Sequence, residues 1–131
     1  MAESMKDSPK TFRFEKLDVW HDARRLNRLA YQCTRCFPES ERFGLVNQIR
    51  RASVSVSSNI AEGSGRNSDP DFARFLEIAY GSLMEVVSQL FLALDEGYVS
   101  QDDLSEIMDL AHLLASRLSA LCKSLGRDSR R

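Results

Sequence analysis

A chain of 131 residues with 43% hydrophobic and 28% charged content fits one folded domain and excludes a disordered polymer, and no apolar run approaches the roughly 18 residues of a membrane span. Only 6 Gly and 3 Pro are present, too few turn residues for an all-β domain of this size, so helices are expected. The net charge of -1 divides into +4 over residues 1–66 and -5 over residues 67–131, and a pI near 6.1 lies well below the basic range of strongly nucleic-acid-bound domains.

Residues 1–11 (MAESMKDSPKT) are polar and aperiodic and are expected to form a flexible tail. With no basic n-region ahead of an apolar stretch, they do not read as a signal peptide. The first helix is predicted over 18–36, where Val19, Ala23, Leu26, Ala30, Cys33 and Phe37 form one stripe, Asp18 is the expected cap and Pro38 forbids simple continuation. The second is predicted over 43–62, with Leu45, Ile49, Ala52, Val56 and Ile60 inward and Gly63 as its stop. Asp69-Pro70 is the expected start of the third, a cap followed by Pro in the first turn. It carries Phe72, Leu76, Ala79, Leu83, Val86, Leu90 and Leu94 and ends at Gly97. The fourth follows the Ser100-Gln101-Asp102-Asp103 cap, places Leu104, Ile107, Ala111, Leu114, Leu118, Leu121 and Leu125 inward, and is expected to stop at Gly126. Residues 12–125 thus predict an all-α, antiparallel up-down four-helix bundle, followed by a flexible basic tail over 126–131.

The second helix has a second face. Val54 and Ala61 fall nearly opposite its apolar stripe, and Ser53, Ser55, Ser57 and Ser58 fill the flanks. A helix that is small or apolar on both sides is buried on both, which predicts a homo-oligomer; a solvated serine face is the competing reading.

The motifs argue against catalysis. Cys33-Thr34-Arg35-Cys36 is a lone C-x-x-C with only Cys122 elsewhere, too few ligands for zinc, and it sits near a helix C-terminus where the dipole disfavours thiolate. An odd cysteine count makes no disulfide framework and points to the cytoplasm. His21 and His112 stand alone, and no G-x-S-x-G elbow or phosphate loop is present, so no enzyme activity, metal or cofactor is expected. Asn59, Glu62, Arg66, Arg74 and Glu85 lie at the margins of apolar stretches and are read as a structural polar network or subunit interface. Arg24, Arg28 and Arg35 fall within about 40° of one another opposite the first stripe, a row able to track phosphates. A solvated helix face is the alternative.

Phe14-Glu15-Lys16-Leu17-Asp18-Val19-Trp20, Phe37-Pro38, Phe43-Gly44-Leu45, Gln48-Ile49-Arg50-Arg51-Ala52, Ser58-Asn59-Ile60-Ala61-Glu62-Gly63 and Gly81-Ser82-Leu83 occur in an order that resembles the four-helix bundle proteins encoded in intervening sequences of bacterial 23S rRNA genes. The resemblance implies a homopentameric ring without established enzymatic activity. A related branch, the accessory variability proteins of diversity-generating retroelements, binds nucleic acid and a reverse transcriptase through a basic surface. Carried over, that role falls on Arg24, Arg28, Arg35, Arg50 and Arg51. The expected function is a scaffold or adaptor, with RNA or DNA binding as the alternative and a protein partner as a further possibility; no membrane partner is expected.

Overall fold

The computed structural model describes residues 10–130, with side chains described for 10–125. Four helices account for nearly all of it: α1 (Asp18–Thr34), α2 (Leu45–Ser64), α3 (Asp69–Asp95) and α4 (Gln101–Arg130). Short 3-10 turns at Arg13–Lys16 and Glu39–Glu41 precede α1 and α2, and the described residues contain no strand. At 1.5 Å per residue, α3 is about 40 Å long. Each helix packs against its two neighbours in the cyclic order α1-α2-α3-α4, and neither diagonal pair comes as close, so the section is a square with one shared core.

The core follows the predicted stripes. Ala23, Leu26, Ile49, Val56, Ile60, Leu76, Leu83, Val86, Leu90, Leu114 and Leu118 are fully or almost fully buried. Each such Leu, Ile or Val contributes about 1.5–3 kcal/mol through removal of its side chain from water.

The helix ends differ in detail from expectation. Asp18 is the first helical residue of α1 rather than its cap, and no side chain caps that end. For α3 the cap is Ser68, whose hydroxyl accepts from the Asp71 N–H at 3.3 Å, while Asp69 and Pro70 are already helical. The fourth cap stands as predicted, and reciprocally: the Asp103 N–H donates to Ser100 Oγ and the Ser100 N–H to Asp103 Oδ2, both at 3.1 Å. Gly97 takes the left-handed φ of 78°, and the Tyr98 and Gly97 N–H groups return to the Ala93 and Leu94 carbonyls, a Schellman close.

Two glycines do not stop their helices. Gly63 is helical and buried, with α2 continuing to Ser64. A Cβ there would stand 2.7 Å from Phe75 Cβ and 3.0 Å from Phe72 Cδ1, so this glycine permits the close approach of α3 rather than a turn. The α4 backbone likewise runs past Gly126 to Arg130. Of the expected tails, residues 1–9 and 131 and the side chains of 126–130 lie outside the described residues.

By length and composition α3 is also apolar enough to cross a membrane, which the sequence reading did not anticipate, and less than half of the qualifying stretch is buried in the bundle. One side of α3 lines the core between α2 and α4. Its outer side still carries Ile78, Tyr80, Met84, Phe91 and Leu92.

Candidate functional site

Polar side chains first serve to tie the bundle together. Buried Ser53 donates to Asn27 Oδ1 at 2.7 Å and Asn27 Nδ2 donates to Ser57 Oγ at 3.1 Å, linking α1 to α2. Ser55 and Ser82 share a hydroxyl hydrogen bond of 2.8 Å between α2 and α3. Part of the small-residue face of α2 is therefore consumed within the chain, because small hydroxyls let neighbouring helices approach while satisfying one another. Val54 and Ser58 are what remains exposed. Between α1 and α4, Arg117 donates to the nearly buried Asp22 at 2.7 Å, and that carboxylate raises the Arg117 pKa above its ordinary value.

The five residues read as a polar network separate into three groups. Glu62, Arg66 and Arg74 do come together, through Asp71, which sequence reading missed. Arg66 pairs with Glu62 at 2.7 Å and approaches Asp71 at 3.9 Å, and Arg74 binds Asp71 at 2.9 Å. Both guanidinium groups also lie over the Phe75 ring, 4.6 and 4.7 Å from its centroid. This chain of charges wraps the α2–α3 connection. Asn59 stays on α2 and donates to the Ser55 carbonyl and hydroxyl at 2.9 and 3.0 Å. Glu85 is about three turns of α3 from Arg74 and lines an open groove of about 520 Å³ between α2 and α3 with Phe43, Asn47, Gln48 and Arg51.

The five arginines read as nucleic-acid contacts also divide. Arg24, Arg28 and Arg35 are exposed along α1, with Arg24 stacked 5.4 Å above the Trp20 ring. Arg25, not singled out from sequence, is exposed beside them. Arg50 has turned inward: it donates to Thr34 Oγ1 at 2.9 Å and to the Tyr31 carbonyl at 3.4 Å and lies 4.5 Å over the Tyr31 ring. It satisfies the C-terminal end of α1, where a cation complements the helix dipole. Arg51 points outward from α2 between two hollows, the groove already described and a second of about 410 Å³ lined by Tyr31, Asn47, Arg50, Val54 and Ser55.

The C-x-x-C pair straddles the end of α1. Cys33 is half-buried beside Asp103 and its pKa is pushed up to about 11, first by burial and then by the carboxylate and by Cys36. Cys36 is exposed and Cys122 half-buried against the Ala73 carbonyl, and none of the three forms a disulfide. A hollow of about 230 Å³ next to Cys33 and Cys36 is lined by Asp103 and Glu106 but by no histidine. His21 instead bonds the Glu15 carbonyl through Nε2 at 2.7 Å, holding the first 3-10 turn, and His112 is exposed. Among the described residues no three His, Cys, Asp or Glu side chains gather as a metal site.

With this geometry in place, the sequence profile of the 23S rRNA-intervening sequence proteins matches residues 15–120, from the first 3-10 turn into the last turns of α4. The chain belongs to that family. The match spans all four helices, so the whole bundle, rather than one motif within it, is the family's unit. No curated protein is similar enough to the chain to match it.

Proposed function

We propose that this 23S rRNA-intervening sequence protein is a non-enzymatic scaffold or adaptor of the cytoplasm that works as a homo-oligomer. The observation that carries this reading is the outer side of α3. Exposed Ile78 and Leu92 stand on one flank of that side and exposed Tyr80, Met84 and Phe91 on the other, and large apolar side chains left exposed together on one helix mark interaction sites. A non-catalytic role is supported by the neutral Cys33 thiol and by histidines that stand apart from every hollow described. The homopentameric ring implied by the family resemblance is the assembly proposed. Light scattering tests the reading: a mass several times 14.9 kDa is expected, five times for the ring, and a mass of 14.9 kDa across micromolar concentrations overturns it.

The second reading, RNA or DNA binding, rests on the exposed row of Arg24, Arg25, Arg28 and Arg35, as in the retroelement accessory proteins that the resemblance brings in. It predicts a gel shift with mixed RNA that weakens steeply with salt and weakens further when Arg24 and Arg28 are replaced by Ala. Arg50, engaged at the end of α1, is not proposed as a contact.

A further inference from the structure

We infer that the outer face of α3 of one copy seats in the hollow between α1 and α2 of a second copy, with Arg51 of one pairing with Glu85 of the other. This rests on the self-association reading above and names the two surfaces that meet. The donor surface is apolar and acidic. Ile78, Glu85 and Leu92 stand seven residues apart on one line of α3, and Gly81 lies beside that line with nothing within 4 Å of where its Cβ would stand. A mid-helix glycine is less favourable than alanine, and no contact with the described residues calls for it here. A neighbouring helix that must come close does call for it.

The receiving surface is concave, basic and partly apolar. Tyr31 and Val54 are exposed in the hollow of about 410 Å³, Ser55 keeps its floor low, and Arg50 and Arg51 supply two positive charges. Arg50 is held by α1, so Arg51 is the free one. Arg51 and Glu85 line the same groove yet form no ion pair with each other, and neither makes a hydrogen bond with any described residue. Opposite charges that face the same cleft unpaired in one copy are satisfied when each meets its counterpart in another. The wider charge pattern agrees, since the surfaces that meet come from the +4 half and the -5 half of the chain. The contact joins two different patches, which is the heterologous kind that closes rings.

The test uses the full chain and three variants: Arg51→Glu, Glu85→Arg and the double variant. Each single reversal places like charges opposite one another and is expected to shift the light-scattering mass of the oligomer toward 14.9 kDa. The double variant restores opposite charges across the contact and is expected to regain the oligomeric mass. Circular dichroism confirms that all three remain helical; both side chains are exposed and unbonded, so folding does not depend on them. Single variants that keep the wild-type mass, or a double variant that stays monomeric, overturn the pairing. A wild-type chain that is itself monomeric overturns the self-association on which the pairing rests, so the two failures are told apart.

Discussion

Replacing Gly63 by Ala tests whether α2 and α3 are as tightly apposed as the fold requires. In an ordinary exposed helix this change stabilises by about 1 kcal/mol, because alanine loses less backbone entropy. Here the new methyl carbon would lie 2.7 Å from Phe75 Cβ, 3.0 Å from Phe72 Cδ1 and 3.3 Å from the Phe72 carbonyl oxygen. Carbon atoms prefer about 3.5–4.0 Å, so the first contact is short by about 1 Å. Phe75 Cβ is fixed to the backbone and cannot rotate away, so α3 itself must retreat. Phe72 is 1% and Phe75 7% exposed, and a retreat loosens both rings along with the charged chain from Glu62 to Arg74 that crosses the same connection. Overpacking of this kind costs about 1–3 kcal/mol. Set against the gain in helix propensity, a net loss of up to about 2 kcal/mol is expected. For a domain of this size that lowers the melting temperature by up to roughly 10 °C. Thermal and urea unfolding followed by circular dichroism measure it. A Gly63→Ala chain that melts at or above the wild-type temperature would refute the argument, because it would mean that the two helices part at no cost.

Gly81→Ala has the opposite sign. Open space surrounds that position within the chain, so urea unfolding at concentrations too low for association should show a gain of about 0.5–1 kcal/mol. Ser100→Ala removes the hydroxyl that caps the Asp103 N–H and should cost about 1 kcal/mol in the same measurement. Thiol labelling at pH 8 should be biphasic, because with a pKa of about 11 only about one Cys33 in a thousand is thiolate, while Cys36 is exposed; Cys36→Ser should remove the fast phase. The same raised pKa has a stability consequence: the folded state holds the Cys33 proton more tightly than the unfolded chain. Its contribution is fully present below about pH 9 and is lost as pH rises toward about 11, so Cys33→Ser should reduce the alkaline loss of stability measured over that window.

Helical periodicity reports which side of each helix is buried, and it did so here almost residue by residue. Val19, Ala23, Leu26 and Ala30 on α1, and Leu104, Ile107, Ala111, Leu114 and Leu118 on α4, are buried at the spacing that predicted them. Periodicity is silent on what meets what across helices. Arg50 and Arg51 are adjacent in sequence and look alike, yet a rotation of about 100° turns one onto the Tyr31 carbonyl and leaves the other in the open. Asp71 meets Arg74 as an ordinary i,i+3 pair on α3, but it reaches Arg66, and through it Glu62, only because the α2–α3 connection folds back. Gly63 read as a stop for the same reason. Glycine after an apolar stripe is a common C-terminal signal, and only the position of Phe75 on the next helix distinguishes a close crossing from a turn.

The near-zero net charge takes on a different meaning once the helices are placed. The basic half supplies α1 and α2 and the acidic half α3 and α4, so within one copy each half already touches the other along the α2–α3 and α1–α4 contacts. The charged pairs that form between described residues are nevertheless mostly local, within the connections, with Arg117 and Asp22 the tie between α1 and α4. The exposed arginines of α1 are left over on one side, and Arg51 and Glu85 stand unpaired along the α2–α3 groove. A surface of that kind is costly to cover with a polyanion, because the acidic side repels it, and inexpensive to cover with a second copy turned so that unlike sides meet. Salt distinguishes the two. Both contacts weaken as ionic strength rises, but a nucleic-acid complex tracking several phosphates loses affinity by orders of magnitude between about 50 and 200 mM salt, whereas an interface anchored on Ile78 and Leu92 with one charged pair beside them loses little.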